Sequence, residues 1–151
     1  MKTIEVKPFY IIGITVRTSN MNNQAANDIP MLWQRFINEN TIEQIPSKLS
    51  NEIISMYTEY EGDHTLPYTT LLGCKVSSLA QIPRGMTGIA VEGGTYLKFT
   101  AKGDLTKGVV IQKWVEIWNQ DLARRFTHDY EVYGDKASNA SDAEVDVFIA
   151  V

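Results

Sequence analysis

The chain has 151 residues, 44% of them hydrophobic and 21% charged, which excludes disorder and suits one globular unit that buries a core without staples. A net charge of −4 without a Lys/Arg cluster argues against direct binding to the phosphate backbone of nucleic acid. No apolar run reaches the roughly 18 residues of a membrane span, Met1-Lys2-Thr3-Ile4-Glu5 has no signal-peptide core, and Cys74 has no second cysteine to pair with, so a cytoplasmic protein away from membranes is expected.

Phe9 to Thr18, rich in β-branched and aromatic residues, predicts the first strand. A polar loop covers residues 19–27, and Pro30 is expected in the first turn of a helix, where its missing N–H is harmless. Ile29, Leu32, Trp33, Phe36 and Ile37 form one apolar stripe, and the helix should end near Asn40. Strands follow at Glu52–Glu61 and about Tyr68–Ser78, separated by a turn at Gly62-Asp63. Ile82-Pro83-Arg84-Gly85-Met86 reads as a loop joining two halves.

The same order then recurs. A strand runs from Gly94 to Ala101, Gly103 and Gly108 bracket a turn, and a helix is expected from about Lys107 to Arg124. Val110, Trp114, Ile117 and Trp118 share its apolar face, which Ile111, Val115 and Leu122 widen, so good cover is expected. Arg124-Arg125 would close the helix, where cations favour the dipole. His128–Tyr133, a turn at Gly134-Asp135 and Glu144–Val151 complete the chain. Trp33 corresponds to Trp114, and Gly62-Asp63 to Gly134-Asp135. The fold class is therefore α+β: duplicated βαββ halves, about 5–80 and 88–151 of a single domain 1–151, related by a pseudo-twofold. An antiparallel sheet would carry two helices flanking a ligand groove.

The second half carries a recognisable pattern. Glu92-Gly93-Gly94-Thr95-Tyr96-Leu97-Lys98-Phe99, Gly103, Ile111 to Trp118 and Asp129-Tyr130-Glu131-Val132-Tyr133 resemble the GyrI-like effector-binding family, which includes ligand domains of AraC-type and MerR-type regulators. The first half agrees in outline through Trp33–Ile37 and Tyr68–Val76. The resemblance implies a module that senses or sequesters bulky, often cationic drugs, with a buried glutamate as counter-charge. Glu131 stands at that glutamate's position. Residues 1–8 are too few for a helix-turn-helix, so a stand-alone effector-binding protein is expected.

Side-chain chemistry points the same way. Asp129 and Tyr133 share the face of Glu131 by the two-residue period. A carboxylate desolvated among aromatics carries a cost that a cationic ligand relieves, with cation–π attraction added. Aligning the turns makes Glu59 the first-half counterpart of Glu131, with Tyr57 and Glu61 on its face. An arbitrary tryptophan on an apolar helical face packs in a core, but Trp33 and Trp114 lie on helices that should flank the groove. Tyr68 and Tyr96 begin strands and could aim hydroxyls into it, Pro30 and Ile117 are candidate apolar walls, and Trp118 is assigned to the core.

His64 and His128 stand outside any ligand motif, so no metal, haem or other cofactor is expected. No Gly-x-Ser-x-Gly elbow, Walker loop or dinucleotide fingerprint occurs, and no catalytic residue is assigned. Two alternatives accompany the small-molecule reading. One is a hydrolase of reactive compounds working through Glu131 and a tyrosine. The other is a protein-interaction module, such as a topoisomerase modulator. A homodimer, or a regulator supplied by a separate protein, is compatible with either.

Overall fold

In the computed structural model, which describes residues 1–151, two ten-residue strands carry the architecture: β2 (Phe9–Thr18) and β6 (Gly94–Gly103). Each leads through a helix into a pair of strands. After β2 come α1 (Gln24–Asn38), a short α2 (Thr41–Gln44), β3 (Ile53–Thr58) and β4 (Tyr68–Val76). After β6 come α3 (Val109–Trp118), β7 (His128–Tyr133) and β8 (Ala143–Ala150). Two five-residue strands precede the long ones, β1 (Lys2–Val6) and β5 (Thr87–Val91). No helix is long and apolar enough to cross a membrane.

All eight strands form one sheet in the order β1-β6-β8-β7-β3-β4-β2-β5, antiparallel at every junction. The order is symmetric about the β7–β3 junction, so the duplication read from the sequence is a duplication of the sheet. The edge strands are exchanged: β1 pairs with β6 of the second half and β5 with β2 of the first. Neither was read as a strand from the sequence. Both find their pairing partners in the opposite half, which ties the halves together beyond the central junction.

The two faces of the sheet bury different cores. On one, α1 sets Leu32 and Phe36 against Ile12, Leu72, Cys74 and Val76. On the same face α3 sets Trp114 and Ile117 against Phe99, Val147 and Ile149. The opposite face buries Ile11, Ile54, Met56, Leu71, Tyr96 and Tyr130 without any helix residue. That burial requires the sheet to coil over itself, an extension of the natural twist of strands. The β2–β4 pair allows it at one point. Gly13 and Gly73 face each other in register, and a Cβ on either would overlap a carbonyl oxygen of the other strand, that of Leu72 or Ile12.

Both helices depart from their expected limits. α1 begins at Gln24, so Pro30 lies inside it rather than in its first turn, and the Ala26 carbonyl loses its helical donor. α3 stops at Trp118, and Arg124-Arg125 lies in an irregular segment instead of capping the helix. Ile111 and Val115 are exposed, so α3 is covered on a narrower face than its composition suggests.

Gly13→Ala is expected to destabilise the fold by about 1–3 kcal/mol, the usual cost of overpacking. At this size that corresponds to a melting temperature lower by roughly 2–12 °C. Unchanged thermal unfolding by circular dichroism would show that β2 and β4 have room to part.

Candidate functional site

The helices sit over the outer parts of the sheet. α1 packs on β2 and β4, α3 on β6, and the central β3–β7 junction is left between them. A cavity of about 620 Å3 opens there, within the range of sites that enclose drug-sized molecules. Of its 20 lining residues 13 are hydrophobic, so an occupant would be held mainly by apolar and aromatic surface. In the β3–β7 register Ser55 lies opposite Glu131 and Tyr57 opposite Asp129, which puts all four on the helix-bearing face with Tyr133.

Glu131 forms the floor. It is 2% exposed, yet no lysine or arginine pairs with it. Its Oε2 accepts from the Tyr57 hydroxyl at 2.7 Å and from Trp114 Nε1 at 2.7 Å, and its Oε1 accepts from the Tyr133 hydroxyl at 2.6 Å. Every donor is neutral. Burial raises the carboxyl pKa, and the hydrogen bonds from Tyr133, Tyr57 and Trp114 offset only part of that rise. Burial and the neighbouring Glu131 charge push the Tyr57 and Tyr133 hydroxyls well above the ordinary phenol range.

Aromatic rings build the walls. Tyr57 stands edge-to-face against Trp114 at 5.3 Å and against Tyr68 at 5.8 Å. Across the junction Trp33 of α1 meets Tyr133 of β7 edge-to-face at 4.9 Å. Tyr68 is buried and lines the cavity while its hydroxyl donates to Asn20 Oδ1 at 2.6 Å. Pro30 is also on the wall, presented by α1. The structure thus brings Glu131, Trp114, Trp33, Tyr57, Tyr68 and Pro30 together.

Three candidates lie elsewhere. Tyr96 is buried on the opposite face of the sheet, packed on Tyr130, with its hydroxyl donating to the His128 carbonyl. Strand parity explains this, because Leu97 and Phe99 take the helix-bearing side. Ile117, one turn beyond Trp114, is turned beneath it onto Phe99, Val147 and Ile149 and is fully buried. Glu59 lies past the end of β3 at φ 51°, exposed, and is not the counterpart of Glu131. The turns that suggested the match follow strands of different register, and Ser55 is the residue that faces Glu131.

Other wall residues were not assigned from the sequence. Trp118, read as core, lines the cavity and stacks on His64 at 5.2 Å. Tyr60 donates to Asp129 Oδ2 at 2.7 Å, and Arg124 Nη2 pairs with the same oxygen at 2.8 Å. Asp129 Oδ1 accepts from the Ala150 amide at 2.8 Å. Asp129 and Glu131, two residues apart on one strand face, therefore differ in kind. The first is neutralised by a guanidinium; the second is not. Asp129 was recognisable as sharing the face, but its partner was hidden because Arg124 was read as a helix cap. No three or more His, Cys, Asp and Glu side chains converge as a metal site.

The family described as Cass2, integron-associated effector binding protein, matches residues 3–151. The chain belongs to that family. The Bacillus subtilis (strain 168) protein named "Putative transcriptional regulator protein YobU" is 27% identical over 143 residues, covering 92% of this chain and 89% of that one. Among solved structures, the integron cassette protein VCH_CASS2 of Vibrio cholerae is 28% identical with a TM-score of 0.76, covering 99% and 94% of the two chains. SAV2435, solved bound to tetraphenylphosphonium, has the same fold at 19% identity and a TM-score of 0.80, covering 98% and 91%. The α+β architecture expected from the resemblance is thus the architecture of these Cass2 and GyrI-like proteins.

The raised pKa of Glu131 has a consequence for stability. The folded state holds this proton more tightly than the unfolded chain. The group's stabilising contribution is therefore full below the ordinary glutamate pKa and is lost as pH rises through the folded value. Glu131→Gln, which cannot ionise, is expected to melt above the wild type at pH 8 without ligand, with the gap closing on acidification. Each kcal/mol of relief corresponds to roughly 2–4 °C at this size. A gap independent of pH in scanning calorimetry would show that the buried carboxylate carries no net cost.

Proposed function

We propose that the chain binds lipophilic organic cations in the cavity over the β3–β7 junction, as a sensing or sequestering protein for drug-like compounds. The observation that carries this reading is Glu131: a buried carboxylate held by three neutral donors at an apolar, aromatic cavity. A permanent organic cation relieves the cost of that charge while its hydrocarbon surface is buried against the ring walls. The tetraphenylphosphonium bound by the fold neighbour SAV2435 supports the ligand class. In this reading Trp33, Trp114, Tyr57 and Tyr68 contact the ligand, Pro30 shapes the entrance side, and Glu131 supplies the counter-charge.

Titration with tetraphenylphosphonium, followed by tryptophan quenching, tests the proposal. Wild type should saturate, and Glu131→Gln should bind at least about thirtyfold more weakly, the usual loss when one member of a buried charge pair is removed. Phosphonium charge does not titrate. Affinity should therefore hold above the pKa of Glu131 and fall about tenfold per pH unit below it. Equal affinities for the two proteins would sink the reading.

A further inference from the structure

A second, smaller cavity lies on the helix-free face of the sheet and shares no lining residue with the first. Its volume is about 220 Å3, below the range of sites that hold drug-sized molecules. Tyr96 and Ala150, buried and paired in register, form its floor. His128 lines it from β7, on the face that strand parity gives to Tyr130. The Tyr96 hydroxyl donates to the His128 carbonyl at 2.9 Å and so joins the two across β8.

Glu92 and Arg125 are exposed while lining this cavity, so they stand at its mouth. Both are fixed through their backbone. Gly93, at φ 82°, packs so closely on the end of β1 that a Cβ would overlap the Val6 carbonyl oxygen, which holds the turn beside Glu92. The Arg125 amide donates to the Ala150 carbonyl at 3.0 Å, and a Cβ on Gly94 would lie 3.6 Å from Arg125 Nη1. Although opposite in sign and on one cavity, Glu92 and Arg125 form no ion pair with each other or with any other side chain.

His128 adds an acceptor between them in character. Thr58 Oγ1 lies 3.1 Å from the Thr127 carbonyl and 2.8 Å from His128 Nδ1. A carbonyl only accepts, so the Thr58 proton goes to Thr127 and Nδ1 carries the ring N–H toward Thr58. Burial lowers the His128 pKa, and the charges of Asp129, Glu92 and Glu59 offset only part of that, which keeps the ring neutral at pH 7. Nε2 is then a lone-pair acceptor without a protein partner, and it is not sealed from solvent.

We infer that this cavity is a second ligand site, which takes a small α-amino acid as its zwitterion. The carboxylate meets Arg125, the ammonium donates to His128 Nε2 and faces Glu92, and a short side chain lies on Tyr96 and Ala150. Two opposite charges that share a small cavity without pairing complement a molecule that carries both. The site stands independently of the organic-cation reading.

Titration of wild type at pH 7 with glycine, L-alanine and L-serine tests it, with the histidine ring nitrogens followed by NMR and affinity by calorimetry. At least one of the three should shift His128 Nε2 saturably and leave His64, on the first cavity, unmoved. The amide of that amino acid lacks the carboxylate, and its α-hydroxy acid counterpart lacks the ammonium. Each should bind about tenfold more weakly, the scale of one charge-assisted hydrogen bond. Arg125→Gln and Glu92→Gln should lose a similar factor with an unchanged melting temperature, since both side chains are exposed and unpaired, and should bind tetraphenylphosphonium as wild type does. No saturable response to any of the three amino acids, an amide or hydroxy acid that binds as tightly, or full affinity in Arg125→Gln overturns the site. Failure of tetraphenylphosphonium to bind wild type would sink the organic-cation reading and leave this one standing.

Discussion

The carboxylate of Glu131 is enclosed by a hydroxyl, an indole N–H and a second hydroxyl, with no cation to balance it. An ionised group moved from water into such surroundings costs several kcal/mol even after relaxation, and neutral donors recover only part. The rest of the site follows from keeping that charge in place. Tyr57 and Tyr133 must stand on the same face as Glu131, one on each side of the β3–β7 junction. Trp114 must reach down from a helix that packs on a different strand. Loss of any one of these donors leaves the carboxylate less satisfied, while the remaining two still hold it at the floor of the cavity.

The symmetry of the sheet makes such an arrangement possible. With the strand order mirrored about β7–β3, each helix is drawn to the two-strand surface of its own half, over β2 and β4 or over β6. The central junction is then left without a helix above it. Side chains there point into space bounded by α1 and α3, and β-strand period places polar residues of two strands side by side. Ser55 occupies the position facing Glu131, so the pseudo-twofold is broken in charge although it holds in backbone. One carboxylate from one half, rather than a symmetric pair, sets the polarity of the cavity.

Much of this was legible in the sequence, for identifiable reasons. Apolar stripes in α1 and α3 and the strand periods gave the duplicated order, because those patterns are local. Glu131 was found through a family-like segment, and strand parity gave the residues that share its face. The failures are all tertiary. Short β1 and β5 acquire their identity from partners in the opposite half of the chain. Tyr96 was placed by its position at a strand start, where parity against Leu97 and Phe99 decides the face. Glu59 was aligned through turns, although register is fixed by strand pairing. Residues 119–125 have helix-compatible composition, yet the Arg125 amide bonds to the Ala150 carbonyl and Arg124 pairs with Asp129. Those two contacts fasten the segment beside β8, and tertiary bonding overrides propensity.

Asp129 and Glu131 show how two carboxylates in one site can differ in what a ligand would offer them. They occupy one strand face, and both are buried. Asp129 is supplied with a guanidinium, a phenol and a backbone amide, so no ligand improves its position. Glu131 has hydrogen bonds but no balancing charge, and burial still raises its pKa. A neutral apolar compound of the same shape would gain the hydrophobic and aromatic contacts of the cavity but would leave the Glu131 charge unbalanced, and by excluding water could deepen its desolvation. A cation gains the same contacts and also removes that cost. On the proposed reading, discrimination resides in the free protein, as an unrelieved charge. Rings that accept many shapes can then coexist with a firm preference for one sign of charge.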